Sequence, residues 1–197
     1  MVTSPFFSLQ SNADVFLLWL RSADGTNRLT RECVVALREV VERIRAEARP
    51  LVITGNAKFF SAGAELEEIA ALDGPAAFEF SRMGQALMHS VEHYPAPVFA
   101  AVSGYCMGGG LDLALACHRR ITSPNAIFGH RGAALGLITG WGGTQRLPRL
   151  VGKSIALEML VAAEKVNPHR ALAIGLVDAV VEDPVAEANR RIKAGST

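Results

Sequence analysis

Val98–Cys117, VFAAVSGYCMGGGLDLALAC, decides how the rest of the chain is read. The apolar run Val98–Val102 breaks at Ser103-Gly104. Gly108-Gly109-Gly110 then opens a second run, Leu111 to Cys117, which carries a single acid, Asp112. Three consecutive glycines forfeit side-chain packing and cost conformational entropy, so they mark a tight turn or a backbone brought close to something. The pattern reads as a strand, a turn and a buried helix. The first N–H groups of such a helix lack partners and can hold developing negative charge. Glycine there can equally serve only to let two elements touch, and the stretch alone does not choose between the two.

Composition narrows the class. A chain of 197 residues, 50% apolar and 20% charged, is expected to form one globular domain over residues 1–197 with a sizeable core. The net charge of +1 gives no reason to expect a nucleic-acid or anionic-membrane partner. Cys33, Cys106 and Cys117 are scattered, odd in number and without metal-ligand spacing. They fit small apolar residues in a reducing cytoplasm, with no metal site. The first twenty residues lack the basic start and apolar core of a secretory signal. Val98–Cys117 is long enough to suggest a membrane span, but its glycines, Ser103 and Asp112 make it a core segment.

Working outward, apolar stretches alternate with helical patterns. Val15–Leu20 reads as a strand, followed by a polar turn around Asp24-Gly25. Thr30 can cap a helix over Arg31–Ala48, whose apolar stripe is Val34, Leu37, Val41 and Ile44. Leu51–Thr54 is a short buried strand. Pro75–Glu92 reads as a helix that packs through Phe78, Met83, Leu87, Met88 and Val91. After Cys117, Ala126–Phe128 reads as a short strand. Gly129–Gly143, with six glycines in fifteen residues, reads as a site-forming loop. Helices are expected over Thr144–Leu150, Lys153–Ala163, Asn167–Ile174 and Pro184–Lys193, with a late strand at Val177–Val181. The alternation argues for an α/β fold with parallel pairing.

Two glycine turns stand in matching contexts. Leu51–Thr54 precedes Ser61-Ala62-Gly63-Ala64, and Val98–Val102 precedes Gly108-Gly109-Gly110. Backbone N–H donors from two such turns can converge on one oxygen as an oxyanion hole. Neither turn matches a P-loop or a dinucleotide-binding fingerprint.

Four segments carry a specific resemblance: Lys58-Phe-Phe-Ser-Ala-Gly-Ala-Glu-Leu66, Ala100–Cys117, Phe128-Gly129 with Gly140–Arg149, and Ala173–Val180. In order and spacing they resemble the enoyl-CoA hydratase/isomerase (crotonase) family, over roughly Phe6 to Pro184. The resemblance implies a spiral of ββα units with surrounding helices. It also implies an enzyme that holds an acyl-CoA thioester as its carbonyl becomes an enolate. By position, the N–H groups of Ala64 and Gly109 would hold that oxygen, and Asp112 would occupy one catalytic carboxylate position. The coenzyme A part would lie against Phe59, Ala62, Gly63, Ala64, Leu66, Gly108 and Gly109. Met107, Gly132, Leu135 and Trp141 would border the acyl group or belong to the core. Coenzyme A would arrive as part of the substrate, with no prosthetic group, and the assembly would be a trimer or hexamer.

The chain also departs from that pattern. The hydratases' second acid falls four residues after Phe128, where this chain has Gly132, and glycine can neither give nor take a proton. His130 and Arg131 flank the gap. His130 can shuttle a proton or be merely exposed or structural. Arg131 can bind a carboxylate or simply face solvent. His118 stands where the family often has an aspartate, a change expected to alter a local salt bridge. Glu65 takes the place of a structural acid. Family chains continue past the Gly-Leu-Val motif into helices that cover the site. Ending at Thr197 after an Ala194–Thr197 tail without a packing signature, this chain is expected to lack most of that region. Three readings compete: a hydratase or isomerase; a decarboxylase, hydrolase or ring-forming branch; and a catalytically impaired CoA-binding scaffold.

Overall fold

The computed structural model describes residues 2–195; Met1 and the last two tail residues, Ser196 and Thr197, lie outside the described residues. The chain opens with β1 (Val2–Thr3), β2 (Phe7–Ser11), β3 (Phe16–Leu20) and β4 (Arg28–Leu29), then α1 (Arg31–Ile44). Next come β5 (Leu51–Thr54), β6 (Phe59–Ser61), β7 (Gly63–Ala64), α2 (Leu66–Ala70) and α3 (Gly74–Glu92). The central stretch forms β8 (Val98–Val102), β9 (Tyr105–Met107) and α4 (Gly109–Ala116), followed by β10 (Arg119–Thr122) and β11 (Ile127–Gly129). The chain continues through α5 (Gly143–Val151), α6 (Lys153–Val161), α7 (Pro168–Ala173), β12 (Ala179–Val180) and α8 (Pro184–Lys193).

A seven-stranded sheet runs in the order β1-β2-β3-β5-β8-β10-β12, and a three-stranded sheet in the order β11-β9-β6. The chain steps between them. Of the pairs β5 and β6, β8 and β9, and β10 and β11, the first strand always joins the large sheet and the second the small one. Each circuit is displaced by one strand from the last, which produces a spiral. Within the large sheet β3, β5, β8, β10 and β12 pair in parallel, while β1, β2 and β3 are antiparallel. Parallel pairing is therefore incomplete, because β2 and β3 form a hairpin-like pair ahead of the spiral.

Both faces of the central strands are covered, which is why they read as unbroken apolar runs. Leu51, Ile53, Val98, Ala100 and Val102 point into the main core beneath α1 and α3. Val52, Phe99, Ala101 and Ile121 point the other way, against Ala188 of α8. Arg120 is buried beside this sheet. Its guanidinium donates to the carbonyls of Leu176 and Cys117 at 2.9 and 2.7 Å, and Asp178 lies 3.9 Å away. Burial lowers the pKa of Arg120, with the Asp178 charge opposing that effect.

Several boundaries differ from the sequence expectations. The first helix stops at Ile44, followed by a 3-10 turn over Arg45–Glu47 and a left-handed Ala48. Arg49 precedes Pro50, and a residue before proline is disfavoured in helical conformation. Thr30 does cap the helix, accepting from Cys33 N at 3.2 Å. Phe78 is 62% exposed and does not pack; Phe80 is the buried aromatic of α3. Between the two apolar runs of Val98–Cys117 lies a further strand, β9, rather than a simple turn. The Gly129–Gly143 loop holds a 3-10 turn at Gly132–Leu135, and the late strand shrinks to Ala179–Val180. Among the described residues no helix is long and apolar enough to cross a membrane.

Candidate active site

The two glycine turns meet. Gly63 adopts φ +97°, a conformation open to glycine, and its N–H is taken by Ser61 Oγ at 3.1 Å. A side chain on Gly63 would begin 2.7 Å from the Met107 carbonyl oxygen and 3.2 Å from Gly109 N. Conversely, a side chain on Gly109 would begin 3.4 Å from Ala64 N. The amides of Ala64 and Gly109 are thus brought side by side. As the first residue of α4, Gly109 carries one of the N–H groups that no helical turn satisfies.

The triple glycine lets elements touch, one of the two purposes that the sequence left open. Gly108 has φ +50° and ψ −121°, which starts the helix from a conformation that L side chains avoid. Gly109 faces Trp141, whose ring carbons would lie 2.5 Å from an added Cβ. Trp141 is buried between α3 and α4, with Nε1 donating to the Phe80 carbonyl at 3.2 Å. On its other side Gly84 of α3 makes room for the same ring.

Around these amides lies a cavity of about 470 Å³. Ala62, Gly63, Ala64, Leu66, Met107, Gly108, Gly109, Asp112, Gly132, Leu135 and Trp141 all border it. Phe59 does not. It sits on β6 with its ring 5.4 Å from that of Tyr105, because its register partner on β9 draws it to the small sheet. Leu135 is an exposed wall residue rather than core, whereas Trp141 is both core and wall. Arg131 also lines the cavity, and Leu72, Leu137, Ile138 and Leu160 add apolar surface that sequence reasoning missed.

Asp112 is the buried acid of this cavity, 1% exposed. Thr139 Oγ1 donates to its Oδ2 in a short hydrogen bond. Its Oδ1 lies 3.3 Å from Nε2 of His130, which is 4% exposed. The two facing atoms are not aligned as a hydrogen bond, and neither has a hydrogen-bond partner among the described residues. The packed histidine contrasts with an exposed one; β11 ends at Gly129 and delivers the next residue directly inward. Thr139 gave no sequence signal, since its role depends on the return of the loop over α4.

The other departures are structural. Among the described residues His118 makes no salt bridge: Val98 N donates to its Nδ1 at 2.9 Å, and its Nε2 is 3.0 Å from the Glu92 carbonyl. Glu65 pairs with Arg28 at 3.4 Å. His89, Glu92 and His93 stand together at the end of α3. The Glu92 carboxylate, however, is 2.6 Å from Arg146. Partial burial pushes Glu92 up, but the Arg146 hydrogen bond and charge outweigh it and hold the group below its usual range. Arg146 also donates to the Trp141 carbonyl, so this pair pins the loop before α5.

Comparison with known proteins gives the family. The sequence model of the enoyl-CoA hydratase/isomerase family covers residues 10–194. The chain is 36% identical over 177 residues to a crotonyl-CoA hydratase of Syntrophomonas wolfei, covering 88% of this chain and 68% of that protein. It is 39% identical over 171 residues to a probable enoyl-CoA hydratase of Bacillus subtilis, covering 85% of this chain and 66% of that protein. The chain thus spans about two thirds of the length of these relatives. The crystal structure of an enoyl-CoA hydratase from Thermoplasma volcanium superposes with a TM-score of 0.92 at 32% identity, over 98% of this chain and 78% of that one. On the family match and these relatives together, the chain belongs to the enoyl-CoA hydratase/isomerase family.

Proposed function

We propose that this chain is an enzyme of acyl-CoA thioesters that stabilises a thioester enolate at the N–H groups of Ala64 and Gly109. The observation that carries this reading is the approach of those two amides at the rim of an apolar cavity whose one buried carboxylate is Asp112. A thioester oxygen gains negative charge as the α-carbon gains or loses a proton. Fixed N–H donors each stabilise such charge by about 3 kcal/mol. Asp112 would handle the proton, with Thr139 holding one carboxylate oxygen so that the other faces the cavity.

Coenzyme A would enter as part of the substrate, its pantetheine passing Ala62, Gly63 and Leu66. A homo-oligomer in the cytoplasm accords with the exposed apolar residues at the cavity mouth, Leu135 and Ile138, and with three unpaired buried thiols. Light scattering during size-exclusion chromatography distinguishes a trimer or hexamer from a monomer.

The test is direct. Crotonyl-CoA is expected to lose its enoyl absorbance with the protein present. Asp112→Asn is expected to slow that loss at least about a hundredfold, the scale of a lost general acid or base. A second reading follows from Gly132, where a side chain would begin 2.9 Å from the Leu137 carbonyl oxygen. A site without a carboxylate there suits a decarboxylase, hydrolase or ring-forming reaction on the same kind of thioester. Mass spectrometry of a panel of acyl-CoA thioesters separates the two readings.

A further inference from the structure

The loop between β11 and α5 offers no carboxylate at Gly132, but it places another proton-handling group in the same cavity. His130 Nε2 and Asp112 Oδ1 face each other at 3.3 Å, and both are buried without a hydrogen-bond partner among the described residues. An unsatisfied buried polar atom costs roughly 1–3 kcal/mol. Two of them opposed on a cavity wall call for an explanation, and a water or reacting group that uses both supplies one.

The surroundings fix this pair. Thr139 occupies Oδ2 of Asp112, which leaves Oδ1 for the imidazole side. Gly143 opens α5 against both groups: a side chain there would begin 2.3 Å from Asp112 Oδ1 and 2.8 Å from His130 Nε2. The helix backbone therefore closes one side of the pair, and the cavity borders the other.

Resting on the acyl-CoA reading above, we infer that His130 is a catalytic proton carrier that acts with Asp112 where a second carboxylate is missing. In hydration, a water seated on the cavity side donates one hydrogen bond to Asp112 Oδ1 and gives its other proton to His130 Nε2. Its oxygen bonds to the β-carbon, the Cα=Cβ pair shifts to join the α-carbon to the thioester carbon, and the carbonyl π pair moves onto the thioester oxygen as the enolate. The enolate then collapses, the α-carbon takes the proton from the imidazolium, and His130 returns to its neutral state. One water is consumed, and one C–O and one C–H bond are made.

The full chain is assayed with crotonyl-CoA and, for α-proton exchange, with butyryl-CoA in D2O. His130→Gln is expected to lower kcat at least about a hundredfold with KM within about threefold, as for a group acting in the transition state. Its circular dichroism and calorimetric affinity for butyryl-CoA should match the wild type. Free imidazole should restore part of the activity of His130→Ala, which loss of a merely structural histidine does not allow. If His130→Gln keeps kcat within about threefold, or folded His130→Ala gains nothing from imidazole, the role of His130 is overturned and the acyl-CoA reading stands. A wild-type protein that neither hydrates crotonyl-CoA nor exchanges the α-protons of butyryl-CoA overturns the role of His130, and one that also fails to bind butyryl-CoA overturns the acyl-CoA reading with it.

Discussion

Glycine 132 and glycine 109 show how much one missing Cβ decides. A glutamate introduced at 132 restores the family's second acid on paper. Its first side-chain atom, however, would fall 2.9 Å from the Leu137 carbonyl oxygen, inside the turn that Leu137 N closes onto Gly132 O. Gly132→Glu is therefore expected to give no increase in crotonyl-CoA hydration and to shift the loop instead. A rise of about tenfold or more in the absorbance assay would show that the turn yields. At Gly109 an added methyl would meet the Trp141 ring at 2.5 Å and crowd Ala64 N. Gly109→Ala is expected to destabilise the fold by about 1–3 kcal/mol through overpacking, read by urea unfolding. It should also abolish most turnover, because the two amides would be pushed apart. The sequence exposed these positions as glycines but not what each one touches. His130 was legible as a titratable residue beside the gap. Its burial against Asp112 was not, because that depends on where β11 ends and on Thr139, nine residues further along a glycine-rich loop.

Elements were legible in proportion to their length and caps. Helix α1 carries both signals, a Thr30 cap and an apolar stripe, and all four stripe residues are buried. Thr30→Ala is expected to cost about 1 kcal/mol in urea unfolding, with Thr30→Asp close to wild type, since either oxygen can accept from Cys33 N. Helix α3 matches its expected span almost to the residue; of its expected packing residues Leu87, Met88 and Val91 are buried, Met83 packs half-buried against the core, and Phe78 is exposed. The buried positions of the helix run Phe80, Gly84, Leu87, Met88, Ser90 and Val91. A glycine carries no hydrophobic signal, so the stripe was broken at the point where Trp141 supplies the missing apolar surface from another element. Strands β5 and β8 were readable because both faces are buried. The two- and three-residue strands β4, β6, β7 and β9 were not, because partners distant in sequence fix their pairing. The spiral thus became visible through motif resemblance rather than through periodicity.

At the scale of the whole molecule, three thiols lie in one core, on α1, on β9 and just after α4. Burial pushes Cys33 and Cys117 up to about 12, and Cys106 well above the ordinary thiol value of 9.0. Nearby Arg120 partly opposes the effect at Cys117, and Glu32 adds to it at Cys33. Each folded pKa is raised, so the folded state keeps its proton where the unfolded chain has lost it. The contribution to stability is complete below the unfolded thiol value near 9.0 and drains away as pH rises toward the folded values. Each thiol then removes about 1.4 kcal/mol of stability per pH unit, so the three together remove about 4. Against a total of about 5–15 kcal/mol, two pH units in that window remove most of the reserve. Urea unfolding followed from pH 7.5 to pH 11 should show a flat stability that falls steeply above about pH 9. The triple variant C33A/C106A/C117A should start less stable, because its core is underfilled, yet lose stability much more slowly across the same range. Tyr94, raised to about 12 by burial, leaves a residual slope of the same sign. Equal slopes in the wild type and the triple variant would show that the thiols are not what the core loses at high pH.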